Sequence, residues 1–130
     1  MDLLFLWYTK NRGDIMNKPT KFIYAKEKSI EVEKGYIVDN YIQKEHGLNY
    51  SVVRTHLDGS HPYMKNLVSD RTYYLISGQA EFVFEEDCIS LHSGEMLVIP
   101  KNVKYSFSGK FDAILIDSPA FEPHNDIIYR

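Results

Sequence analysis

The side chains best suited to acid–base or ligating chemistry are five histidines and one cysteine. An imidazole changes charge close to neutral pH, so it serves as a general base or as a neutral donor to a metal ion. His56 ends the run YSVVRTH and, by strand alternation, shares a face with Arg54 and Val52. His61 sits in the turn-like segment GSHPY. A turn histidine is ordinarily solvated, so exposure is the default for His61 and a place in a pocket is the alternative. His46 and His92 read as surface positions, and His124 lies in a proline-bounded tail with no evident partner. Cys88 adjoins Ile89 in an apolar run and reads as a small filler rather than a reactive thiol. Ser93-Gly94 and Ser108-Gly109 are turn dipeptides without a strand-to-helix elbow, and no glycine-rich loop is built to cradle phosphate.

The elements that must position these groups are short and β-rich. From about Thr20 the chain breaks into KFIYA, SIEVEKGYIVDNYI, YSVVRTHL, RTYYLIS, AEFVFEE, CISLH, EMLVIP, YSFSG and FDAILID. Turn residues separate them, among them Asp58-Gly59, Ser77-Gly78, Ser93-Gly94 and Ser108-Gly109. No segment keeps helical periodicity for the length a helix needs. The expectation is an all-β sandwich or barrel. Ala80–Phe84 should pair with Cys88–His92 as a hairpin, reversing over Glu85-Glu86-Asp87. The stretch SPAFEPHNDIIYR carries two prolines and should leave the sheet at Pro119. Phe121, Ile127 and Ile128 would then pack it on the outside of the barrel or on a second subunit.

A chain of 130 residues, 44% hydrophobic, suits one domain with one core. The net charge of -3 and pI near 5.9 argue against a nucleic-acid partner, which needs a basic stripe. A lone cysteine excludes an intrachain disulfide framework and fits a reducing cytoplasm. The apolar run Leu3–Tyr8 is too short to span a bilayer and lacks the flanks of a secretory signal. Residues 1–15 therefore read as an extension or arm, and residues 16–130 as the barrel domain. That apolar run and the proline-bounded tail together suggest a homodimer, since open sheet edges must be covered.

The stretch from Gly59 to Gly109 resembles the two-part signature of the cupin superfamily. In the second part, GEMLVIPKNVKYSFSG, Gly94 and Pro100 match; Asn102 replaces an inner glycine and Tyr105 replaces a metal-binding histidine. In the first part, anchored on Gly78 in RTYYLISGQAEFVF, the glutamate position falls on Arg71 and two histidine positions fall near Met64 and Asn66. The resemblance implies a double-stranded β-helix, the cupin or jelly-roll barrel, in a single domain. It also implies that Met64, Asn66, Arg71 and Tyr105 stand where other members hold a metal. Arginine keeps its proton at any usable pH and repels a divalent cation. The expectation is no metal and no cofactor, unless His56 and His61 supply ligands instead.

Arg71 shares a strand face with Tyr73 and Leu75, and the resemblance implies that this face points inward. A guanidinium there needs a partner. Asp70, Asp112, Asp117 or Glu95 would make a structural ion pair; otherwise Arg71 would clamp an anion, with Lys65 in support. Tyr105 reads as a wall aromatic, a ligand contact, or an acid–base group if Arg71 brings its pKa of about 10 toward neutrality. The expected ligand set is thus Arg71, Lys65, Asn66, Tyr73 and Tyr105, with Tyr105, His61 and His56 as catalytic candidates. The leading reading is a cupin-like protein binding a small anionic or sugar-like molecule. The alternatives are a metal-independent isomerase or epimerase on a keto-sugar, a metal-dependent enzyme using His56 and His61, and a structural or sensing module.

Overall fold

A computed structural model describes residues 19–130 of the chain. The arm expected over residues 1–15 lies outside the described residues. Eight strands follow in order: β1 (Lys28–Glu33), β2 (Tyr36–Ile42), β3 (Ser51–Asn66), β4 (Asp70–Val83), β5 (Cys88–His92), β6 (Met96–Ile99), β7 (Tyr105–Ser118) and β8 (Asp126–Ile128). Among the described residues there is no α-helix; single 3₁₀ turns occupy Pro19–Phe22, Lys44–His46 and Pro123–Asn125. The antiparallel order is β1-β2-β3-β7-β4-β5, with β6 added to β4 and β8 added to β3. The segment KFIYA forms no strand: its first residues close a 3₁₀ turn, and Phe22 and Ile23 are exposed. The expected hairpin is present, with Ala80 opposite Leu91 and Val83 opposite Cys88.

Three of the dipeptides expected as turns lie inside strands. Gly59 sits opposite Gly109, and Gly109 sits opposite Ala80, so β3, β7 and β4 all bend along one line across the sheet. Gly78 (φ 85°) and Gly109 (φ 128°) occupy backbone conformations that side-chain-bearing residues rarely adopt. A Cβ on Gly78 would stand 2.1 Å from the Lys110 carbonyl oxygen, and one on Gly109 would stand 2.4 Å from that of Gln79. The glycines thus let long strands fold over so that one sheet wraps round its own core.

Two bulges decide which side chains face that core. In β4 the register shifts between Leu75 and Ser77, so the inward set changes from Arg71, Tyr73 and Leu75 to Ala80 and Phe82. In β3 it shifts between His61 and Met64, so Leu57 and His61 are followed inward by Met64 and Asn66. β7 contributes Tyr105, Phe107, Phe111, Ala113, Leu115 and Asp117, all buried. Phe107 is the hub, stacked on Phe82 and Tyr105 and met edge-on by Tyr36.

Candidate active site

One end of the barrel holds a cavity of about 420 Å³. β1 to β4, β7 and the C-terminal tail all line it, which places it within the size range of small-molecule sites, roughly 300–1,000 Å³. Its outer wall is apolar: Ile30, Val32 and Ile128 are 40%, 49% and 37% exposed. Its depth is polar: Arg71, Tyr73, Asp117 and His61 are all buried there.

Arg71 is saturated within the protein. Nε and Nη2 donate to the two carboxylate oxygens of Asp117 at 3.1 and 3.3 Å. Nη2 also donates to Asp126 Oδ1 at 2.7 Å, and Nη1 to Tyr105 Oη at 3.3 Å and toward Met64 Sδ at 3.7 Å. These five contacts match the five N–H groups of a guanidinium. The structural ion pair is therefore realised, with Asp117 as the foreseen partner and Asp126 as an unforeseen one. No donor remains for an incoming anion, so the anion-clamp expectation for Arg71 is not supported. Burial pushes the Asp117 carboxyl up, against the pull of the guanidinium beside it.

His61 departs from its default. It is buried, stacked on Phe107 with centroids 4.6 Å apart, and part of the cavity lining. Its Nδ1 lies 2.8 Å from the Pro62 carbonyl oxygen, which only accepts, so Nδ1 carries the proton and Nε2 carries the lone pair. Burial lowers its pKa, and Arg71 adds to that effect, so the imidazole is neutral at neutral pH. A buried, tautomer-fixed, neutral imidazole at a cavity wall is competent as a general base.

Tyr73 and Tyr105 form a coupled pair, with hydroxyls 2.7 Å apart. Tyr73 lines the cavity, and Tyr105 lies behind it against Arg71. Burial raises both pKa values; for Tyr105 the guanidinium opposes the rise without cancelling it. The expected drift of Tyr105 toward neutrality is thus reversed, because desolvation of a phenolate outweighs one ion-paired neighbour. Both groups stay phenols, able to donate a hydrogen bond but not to serve as bases near pH 7.

The remaining expected residues lie elsewhere. Lys65 follows the β3 bulge, which turns it to the outer side between the buried Met64 and Asn66. Asn66 is buried and fully engaged: its Oδ1 accepts from the backbone N–H groups of Val68 and Ser69, and its Nδ2 donates to Asp126. His56 stands on the outer face, where its two ring nitrogens each meet a carboxylate at 2.8 Å, Asp39 and Asp112. Burial opposes the protonated form, but the hydrogen bonds and charges of the two carboxylates together outweigh it and raise its pKa. Cys88 and His92 are exposed. The tail leaves the sheet at Pro119 as expected but returns to it as β8 beside β3, and Phe121 and Ile128 line the cavity instead of covering the barrel's outside. Sequence reading missed Asp126 and Glu33 as cavity residues; the only local signal for Asp126 is its place at the head of the apolar pair Ile127-Ile128.

The positions that would hold a metal in related barrels do converge here, since Arg71 touches both Met64 and Tyr105. They do not fit a metal: a permanent cation occupies the spot where charge would have to be donated, and Asn66 is engaged elsewhere. Among the described residues no group of three or more His, Cys, Asp or Glu side chains is arranged to hold an ion.

Sheet order, inward wrapping and a cavity at one end of the barrel define the cupin fold, and the chain adopts it. It is similar to a Streptomyces Pac13 variant with uridine, at 24% identity and a TM-score of 0.71 over 82% of this chain and 88% of that one. It is also similar to Pac13 described as a unique nucleoside dehydratase, at 23% identity and a TM-score of 0.71 over 82% and 89%. KdgF from Halomonas sp. matches at 17% identity and a TM-score of 0.65 over 75% and 93%. Three of the Pac13 structures with uridine carry single substitutions, one of a histidine to glutamine and two of tyrosines to phenylalanine. No family model matches the sequence, and no curated protein matches it. No helix among the described residues is long and apolar enough to cross a membrane.

Proposed function

We propose that the barrel binds a neutral, hydroxyl-bearing molecule of nucleoside type and abstracts a proton from it without a metal. The observation that carries this reading is His61, a neutral base with its Nε2 lone pair available in a cavity that Tyr73 also lines. In the reaction, His61 Nε2 takes the proton from a sugar carbon beside a carbonyl. The electrons of that C–H bond form a carbon–carbon double bond as the hydroxyl on the next carbon takes that proton from His61 and departs as water, which returns the imidazole to its neutral form. Tyr73, a phenol held by Tyr105, donates a hydrogen bond to oxygen that gains charge. The apolar rim of Ile30, Val32, Phe121 and Ile128 suits the flat face of a base, while the deeper polar groups suit sugar hydroxyls.

The Pac13 structures support the same reading by residue type, since one histidine and two tyrosines were the side chains changed there in the presence of uridine. The test uses uridine for binding and a nucleoside bearing a sugar carbonyl for turnover. Calorimetry should detect uridine. In deuterated water the carbonyl nucleoside should gain deuterium or lose water, and His61→Gln should slow this by about 100-fold or more while leaving binding in place. Equal rates in the parent and His61→Gln would remove the base from the mechanism.

A further inference from the structure

β8, the last strand of the chain, brings Asp126 to the cavity. There Asp126 shares one cation, Arg71, with a second carboxylate, Asp117, which leaves one negative charge over. Asp117 takes Arg71 in a two-pronged contact, so that pair is neutral as a unit. Asp126 adds a second carboxylate to the same guanidinium, through Oδ1, which also accepts from Asn66 Nδ2 at 2.8 Å. Oδ2 receives no hydrogen bond from the described residues, and it is not a buried orphan, because Arg54 Nε alone among them is that. Asp126 lines the cavity, and Oδ2 is the carboxylate oxygen it has free for a ligand there. Glu33, another lining carboxylate, is already paired with Arg130.

From this geometry we infer that Asp126 sets specificity: its Oδ2 accepts a hydrogen bond from a ligand hydroxyl, and the negative charge left over where two carboxylates share Arg71 excludes phosphorylated ligands. The inference rests on the nucleoside reading above and sharpens it, because a nucleoside and its 5′-phosphate differ mainly by that charge. Two like charges brought together in a partly desolvated cavity repel strongly. A hydroxyl donating to a carboxylate makes a charge-assisted bond instead.

Calorimetry with uridine and uridine 5′-monophosphate tests it. The parent protein should bind uridine at least about tenfold tighter than the monophosphate, which corresponds to ~1.4 kcal/mol. Asp126→Asn keeps an oxygen acceptor for Arg71 and Asn66 while removing the charge. It should weaken uridine and tighten the monophosphate, bringing the ratio within about threefold. Asp126→Ser serves if the asparagine variant does not fold, with the same readings. A parent that binds the monophosphate as tightly as uridine overturns the inference, as does a ratio unchanged in the variant. A parent that binds neither compound overturns the nucleoside reading itself, and this assignment with it.

Discussion

The hydroxyls of Tyr73 and Tyr105 lie 2.7 Å apart, yet only Tyr105 reaches the guanidinium of Arg71, at 3.3 Å. The two phenols are therefore unequal. Tyr105→Phe strands a buried N–H of Arg71 and should cost about 1–3 kcal/mol, whereas Tyr73→Phe should cost about 1 kcal/mol or less. Urea unfolding of both variants measures this, and equal losses would mean that the Arg71 contact contributes nothing.

Arg71→Met leaves Asp117 and Asp126 facing each other without a cation. Removing one partner of a buried pair ordinarily costs about 3–5 kcal/mol, while replacing the whole pair with apolar groups costs far less. Adding Asp117→Leu to Arg71→Met should therefore recover part of the lost stability. A double variant less stable than the single one would contradict this account of the barrel interior.

The two histidines of β3 should titrate on opposite sides of the ordinary value of 6.5, His61 below it and His56 above it. For His61 the unfolded chain binds the proton more readily, so its contribution to stability falls as the pH drops through 6.5. For His56 the folded chain holds the proton more tightly, so its contribution is complete below 6.5 and is lost as pH rises through the folded value. Nitrogen-detected imidazole spectra read the two titrations, and thermal unfolding of His56→Gln should differ from the parent most at acid pH. Reversed order in the spectra would overturn both assignments.

Gly109→Ala should destabilise the fold by more than about 1 kcal/mol, because the methyl group meets the Gln79 carbonyl and φ is 128°. Gly94→Ala is the control: its φ is also positive, at 88°, but no heavy atom lies within 4 Å of the added carbon. The control variant should lose less. Equal unfolding midpoints for the two would show that the bend tolerates a side chain.

The strands were legible because their signals are local. Alternation in RTYYLIS put Arg71, Tyr73 and Leu75 on one face, and all three are buried. The EED turn marked the β4–β5 hairpin for the same reason. The bends were not legible, since a glycine that ends a strand and one that folds it over look alike in sequence. Nor were the bulges, and one extra residue in β3 after His61 was enough to bring Met64 and Asn66 inward and send Lys65 out. The cavity's second carboxylate was hidden by distance along the chain: Asp126 meets Arg71 across a separation of 55 residues, after two prolines.

The saturation of Arg71 has a practical side. Because every N–H of the guanidinium is taken up by Asp117, Asp126, Tyr105 and Met64, the base of the barrel tolerates little redesign. The apolar rim has no such obligations. Libraries confined to Ile30, Val32, Phe121 and Ile128 would retune which ring systems the mouth admits while leaving the scaffold's anchoring untouched.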